Sequence, residues 1–329
     1  MAGFNDIVGQ DHIIKQLKGS IDNNTVSHAY LITGEEGMGK KLIANTFAMA
    51  LQCTGAGNRP CMTCDHCKQA LSGNEPDIIT VTREKENVLT VGEIRDQVVD
   101  DVFIKPYSSD HKIYIIPKAD KMNVQAQNAL LKTLEEPPSY AVIILLSDNM
   151  QALLPTIISR CTVLSAKPVS DELIRKYLTE KIHISDHQAD LCISFARGNV
   201  GRAEDLAVNE EFDTLKKETL RTLKSLKSAE DSFLYDCVKK LSQYKESISL
   251  LFEFMVMWYR DVLLYMTTKE ETGLIFSEEA KSIREAAENS SYEGINRIIE
   301  RIGRTKEMLK ANVNPELALE FLLFEIKES

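Results

Sequence analysis

The chain has 329 residues, with 39 Lys and Arg against 49 Asp and Glu for a formal net charge of −10; 43% are hydrophobic and 27% charged. That is an ordinary composition for a globular protein of two or three domains. The acidic balance argues against independent, high-affinity binding to a phosphate backbone, though not against a local basic patch, and makes proteins the expected partners.

The first residues, Met1-Ala2-Gly3-Phe4-Asn5-Asp6, hold neither a basic region nor an apolar run, so a cytoplasmic location is expected. From there to about residue 167, short apolar runs alternate with amphipathic helices, the signature of a parallel α/β sheet. The first strand, 29–33, feeds Gly34-Glu35-Glu36-Gly37-Met38-Gly39-Lys40-Lys41. This is the P-loop pattern G-x-x-x-x-G-K-[ST] everywhere except its last position. The glycines and the following helix can still form a nest of backbone N–H groups, and Lys40 can still reach a phosphate. Working sites use the final Ser/Thr hydroxyl to hold Mg²⁺, whereas Lys41 offers no lone pair and adds a positive charge. Mg²⁺ is therefore not expected. ATP or ADP binding stays open, the alternative being a structural turn with nothing in it.

The helix after the loop carries Ile43, Phe47 and Leu51 on one face. Cys53, Cys61, Cys64 and Cys67 follow as C-x₇-C-x₂-C-x₂-C. Four thiols so closely spaced, with no secretory signal, predict a closed structural Zn²⁺ knuckle over 53–67. His66 could replace one sulfur, and the bland alternative is four free thiols.

Further strands are expected at 78–81, 113–116, 142–146 and 162–164. The third strand of the chain should end in metal-holding and water-activating carboxylates but runs into Pro117-Lys118-Ala119-Asp120. Asn123 can cap a helix whose inward face is Ala126, Ala129, Leu130, Thr133 and Leu134, stopped by Pro137-Pro138. Ser159-Arg160-Cys161 precedes the last strand; on spacing alone Arg160 reads as a surface ion-pair partner.

Strand signals end at Lys167-Pro168. Ser170 caps one helix, Ser185-Asp186-His187-Gln188 opens a second that Gly198-Asn199 closes, and a third begins near Gly201-Arg202. From about 209 everything reads as helical. The most apolar stretch, 248–266, contains Glu253, Arg260 and Asp261 and is expected to be a buried helix rather than a membrane span. Asn314-Pro315 starts a last helix, made apolar by Leu317, Phe321, Leu322 and Phe324, that fills a bundle core or meets a neighbouring subunit. Cys161, Cys192 and Cys237 read as ordinary core residues.

Phe4 with Val8-Gly9-Gln10, then His28-Ala29-Tyr30-Leu31, the P-loop, the four-Cys knuckle, Asn128-Ala129-Leu130-Leu131-Lys132-Thr133-Leu134-Glu135-Glu136-Pro137-Pro138 and Ser159-Arg160-Cys161 occur in one order. Together they resemble the bacterial clamp-loader branch of the AAA+ family over the whole chain. The resemblance implies an α/β P-loop (AAA+) domain at 1–167, a three-helix lid at 168–208 and an all-α C-terminal collar at 209–329. It implies that Arg160 is an arginine finger acting in trans on a neighbour's nucleotide site. Val8 and Gln10 lie where the family wraps the adenine, Ser147-Asp148-Asn149 where it has its first sensor, and Arg202 where the lid has its second. Gly34, Gly37, Gly39, Lys40 and Lys41 complete a degenerate nucleotide site. The implied partners are gamma/tau and delta subunits in a pentameric ring, with the beta sliding clamp and primed DNA met through the assembly and no membrane involved. The knuckle does not separate hydrolysing from non-hydrolysing members. The lost metal positions do, and point to a subunit that is not an enzyme by itself. The competing readings are an ATP-hydrolysing gamma/tau-type subunit and a zinc-knuckle nucleic-acid binder on a dead NTPase scaffold.

Overall fold

The computed structural model describes residues 3–84, 88–226, 230–244 and 247–328; Met1 and Ala2, where the reading of the leader began, lie outside them. Two compact units divide the chain, Met1–Glu204 and Asp205–Ser329.

In the first unit, strands β1 (Ala29–Thr33), β2 (Ile78–Thr80), β3 (Lys112–Ile116), β4 (Ala141–Ser147) and β5 (Thr162–Ser165) form one sheet in the order β2-β3-β4-β1-β5. Every pairing is parallel, with Tyr30 opposite Ile144 and Thr162, and Ile115 opposite Ile144 and Thr80. A parallel sheet covered on both faces needs near-continuous apolar strands, and β3 and β4 are buried at every position. Leu31, Tyr114, Ile116, Ile143 and Leu145 pack on Ala126, Leu130 and Leu134 of the helix Val124–Glu135. On the other face Tyr30, Ile32, Ile113, Ile115 and Ile144 meet Ile43, Phe47 and Leu51 of the helix Lys40–Gln52 and Ile13 and Leu17 of the helix Asp11–Asp22.

The strands lie where the apolar runs place them, with small shifts: Val81 falls outside β2, although its N–H still bonds the Ile115 carbonyl at 2.9 Å. Asn123 caps its helix by accepting from the Ala126 N–H at 2.8 Å. The inward face of that helix differs in one respect. Ala129 is only half-buried, while Gln127 is 2% exposed. Its amide donates to the Met122 and Ala152 carbonyls and accepts from the Leu154 N–H, so the polar group is fully bonded where it is buried.

Beyond the sheet, Ser170 stands at the start of the helix Asp171–Tyr177 without a side-chain cap bond, and a π-helical turn continues it over Leu178–Ile182. Ser185 caps the helix Asp186–Ala196 through the Gln188 N–H. The next helix spans Val200–Val208; the Asn199 side chain accepts from the Arg202 N–H at its start, while the Asn199 N–H bonds the Ala196 carbonyl at the end of the helix before it, 3.0 Å.

The second unit is helical: Phe212–Ser225, Asp231–Leu241, Ile248–Thr268, Ala280–Glu288, Tyr292–Lys310 and Pro315–Glu328. The apolar stretch becomes the buried helix Ile248–Thr268, packed through Phe254 and Trp258 on Phe276. Asp261 within it is fully buried, ion-paired to Arg260 at 2.7 Å and accepting from the Phe276 N–H at 2.8 Å. Among the described residues no helix is long and apolar enough to cross a membrane. Asn314 caps the last helix through the Glu316 N–H. That helix is apolar on more than one side, so the unit buries only Ala318, Leu319, Leu322, Leu323 and Ile326; Leu317 and Phe321 remain 46% and 51% exposed.

Candidate functional site

β1, β3 and β4 all end on the same edge of the sheet, where open α/β folds bind ligands. The P-loop leaves β1 there and is tied to β4 by the Gly34 N–H on the Ser147 carbonyl, 3.2 Å. Gly39, left-handed at φ 79°, turns the chain into the helix Lys40–Gln52, whose N-terminus faces a cavity of about 330 Å³. Gly37, Gly39, Lys40 and Lys41 line that cavity together with Pro117, Lys118 and Asp148.

Four of the charges around it, Lys40, Lys118, Asp148 and Glu36, are paired with one another. Lys40 Nζ donates to the Gly34 and Glu35 carbonyls at 2.6 Å each and pairs with Asp148 Oδ1 at 2.7 Å. Lys118, where a carboxylate was expected, pairs with the other oxygen of Asp148 at 2.5 Å and with Glu36 at 2.8 Å. Burial works against ionising Asp148, but hydrogen bonds from Lys118 and Lys40 hold its carboxyl below the usual carboxylate range. Burial likewise opposes charge on Lys118, and its bonds to Asp148 and Glu36 outweigh that and raise its pKa. Asp120 accepts the Asp148 N–H at 3.0 Å and steadies the acid between the two lysines. Lys41 is exposed. A divalent cation fits this donor set badly: Lys41 stands where the loop would supply a hydroxyl, Pro117 and Lys118 stand where β3 would supply carboxylates, and Asp148 is engaged by both Lys40 and Lys118.

A second contact crosses the loop from far along the chain. Asn199 Nδ2 donates to the Glu36 carbonyl at 2.6 Å, and the Gly201 N–H donates to the Gly37 carbonyl at 2.9 Å. Both glycines are required: a Cβ on Gly37, itself at φ 87°, would stand 2.5 Å from Asn199 Oδ1, and one on Gly201 would stand 2.6 Å from the Gly37 carbonyl oxygen. The Arg202 N–H lies beside Gly37 and donates to Asn199 Oδ1 at 3.1 Å. Val8 lines a separate cavity of about 720 Å³ with Leu42, Leu173 and Tyr177. Gln10 does not. Its side chain bonds Lys167 twice, donating to the carbonyl at 2.6 Å and accepting from the N–H at 2.9 Å, and so ties the N-terminal segment to the end of the sheet domain.

Arg160 lies outside both cavities. Its guanidinium donates to the Thr156 carbonyl at 2.9 Å and to Glu135 Oε1 at 2.6 Å, with the Arg side chain 34% exposed. The ion-pair role that spacing alone suggested is present.

The sulfur atoms of Cys53, Cys61, Cys64 and Cys67 all lie within 4.8 Å of one another, and all seven cysteines are free. A tetrahedral ion with Zn–S bonds of about 2.3 Å would set its sulfurs about 3.8 Å apart, so the cluster fits one. Cys61 is pulled down to about 5, first by the Thr63 hydroxyl and then by the N–H groups of Thr63 and Cys64. Burial pushes Cys53 and Cys67 up. A bound cation would ionise such thiols outright. His66 is not one of the set; its Nδ1 lies 3.1 Å from the buried Glu75 carboxylate.

The sequence motifs supplied the loop and the sulfurs but missed Lys118, Asp148 and Asn199 as partners within the site. Charge pairs between strand ends carry no periodic signal, and the Asn199 contact spans 163 residues.

The family models described as "DNA polymerase III, delta subunit" and "DNA polymerase III, delta subunit, C terminal" match residues 9–170 and 210–328. The delta′ subunit of DNA polymerase III from Bacillus subtilis (strain 168) is 31% identical over 97% of this chain and 96% of its own length. The tau subunit from the same organism is 30% identical over 98% of this chain, which spans 61% of that longer protein. The gamma subunit from Buchnera aphidicola subsp. Acyrthosiphon pisum (strain APS) is 27% identical over 98% of this chain and 95% of its own.

Proposed function

This chain belongs to the DNA polymerase III delta-subunit family of clamp-loader proteins, and from that premise we propose that it is a delta-prime-type subunit that does not hydrolyse ATP itself. The observation that carries the reading is the Lys40–Asp148–Lys118 chain, with Lys118 bonded on to Glu36. It engages the Asp148 and Glu36 carboxylates with ammonium groups, so neither stands ready to hold Mg²⁺ or to orient an attacking water. Asn199 and Gly201 hold the loop's shape through the Glu36 and Gly37 carbonyls, which are acceptors and take no part in binding phosphate.

In this reading Arg160 acts in trans. It stabilises charge on the phosphoryl group transferred in a neighbouring gamma/tau subunit, and the chain spends its structure on completing that site. Gly34, Gly37, Gly39, Lys40, Lys41, Val8, Gln10 and Arg202 are relics of a nucleotide site. Cys53, Cys61, Cys64 and Cys67 hold one structural Zn²⁺. The three-part division at 167 and 208 assigns the N-terminal part to ring contacts around nucleotide, the middle to a lid and the rest to a collar. Gamma/tau and delta subunits are the neighbours in a five-membered ring that handles the beta clamp and primed DNA in the cytoplasm.

The similarity to tau over nearly the whole chain keeps one competitor in view, an ATP-hydrolysing gamma/tau-type subunit. Magnesium dependence separates the two. Binding of a labelled ATP analogue to the purified chain, if it occurs, is expected to respond little to EDTA. A loss of binding on adding EDTA would mean that the loop holds Mg²⁺ and would favour the competitor.

A further inference from the structure

Glu135 is the last residue of the helix Val124–Glu135, and it delivers a carboxylate to Arg160 from 25 residues away in sequence. The backbone around Arg160 is fixed by a run of tight turns, in which the Ser159, Arg160 and Cys161 N–H groups bond the Pro155, Ile157 and Ile158 carbonyls. The same helix grips the same loop a second time through Gln127, which bonds the Ala152 carbonyl and the Leu154 N–H from a buried position. Helix and loop are thus tied at both ends of their contact. The buried tie sets the loop's path, and the outer one sets the direction of the Arg160 side chain.

A guanidinium has five N–H donors in a planar fork. Two are engaged here, one by the Thr156 carbonyl and one by Glu135, on two different nitrogens. Acceptors on two nitrogens fix the plane of the fork, not merely its position, and leave donors over for a third party. The carboxylate bond is charge-assisted and the stronger of the two in kind. A flexible side chain that must meet a phosphoryl group in another subunit gains most from being held in one orientation beforehand.

We propose that Glu135 is the positioning residue for Arg160: it holds the guanidinium ready for a triphosphate presented by the neighbouring subunit. The inference rests on the trans role of Arg160. It adds a residue that acts through the finger.

The test uses the assembled complex with gamma/tau, delta, beta clamp, primed DNA, ATP and Mg²⁺, comparing wild type, Glu135→Ala, Glu135→Gln, Arg160→Ala and the double Ala variant. Glu135 is nearly half exposed and its removal should leave assembly unchanged. Glu135→Ala is expected to lower kcat about tenfold with KM unaltered, and Glu135→Gln, which keeps an acceptor oxygen, to recover most of that loss. In the Arg160→Ala background the second substitution should change nothing further. Full turnover by Glu135→Ala beside an impaired Arg160→Ala would refute the positioning role and leave the trans role standing. Independent, multiplying losses in the double variant would also refute it, because Glu135 would then act by another route. Full turnover by Arg160→Ala would remove the trans role itself, and this inference with it.

Discussion

Replacing Arg160 by Ala should lower turnover at the adjoining nucleotide site of the assembled clamp loader by about 10³-fold or more, the range in which arginine fingers act. The chain itself should fold and assemble as before, since the side chain is partly exposed and gives up only its bonds to Thr156 and Glu135. The loss is expected in kcat, because the finger meets charge that develops in the transition state and adds little to ground-state binding. It is read most cleanly in a complex whose other nucleotide sites are disabled, by following phosphate release over a single turnover. Arg160→Lys should recover little, because a compact ammonium cannot reproduce a planar fork held by two acceptors. Unchanged turnover in the Arg160→Ala complex would remove the trans role.

The second large effect concerns the knuckle. Purified protein should contain about one zinc per chain, and Cys64→Ser combined with Cys67→Ser should reduce that to background. Among the described residues the apolar packing of this segment is one small cluster, in which buried Met49, Cys53 and Cys67 are flanked by partly buried Met62, Ala70 and Leu71. Structural zinc contributes about 10–16 kcal/mol of apparent binding free energy in isolated zinc-finger peptides, far more than such a cluster could supply. The damage should stay local, because the knuckle follows the helix Lys40–Gln52 and that helix is secured by its own buried face. Elemental analysis and limited proteolysis around residues 53–72 check both halves of the expectation. Wild-type protein without zinc would return the cluster to four free thiols.

Much of this architecture could be read from the residues because burial writes itself into parallel strands. β3 and β4 are apolar at almost every position since helices cover both faces, and the helix caps at Asn123, Ser185 and Asn314 sit where side-chain acceptors can reach free N–H groups. The P-loop was equally plain, as its glycines answer to backbone shape. What stayed hidden depends on tertiary pairing. Nothing local tells Gln127 that it will be buried and threefold bonded, or tells Asn199 that it will meet the Glu36 carbonyl. Lys118 could be read as a missing carboxylate but not as the group that neutralises Asp148 and Glu36. The last helix exposed the limit of pattern alone: Leu322 went into the core and Phe321, its neighbour, to the surface.

The family membership leaves open how each subunit divides the work, and the lysines around Asp148 bear most directly on it. Two ammonium groups share one carboxylate where catalysis would need a metal and a base. Phosphate release by the purified chain alone, given ATP, Mg²⁺ and primed DNA, is the decisive measurement. Its rate should be indistinguishable from that of Lys40→Ala. Steady turnover that Lys40→Ala abolishes would show that the solitary subunit is an ATPase after all.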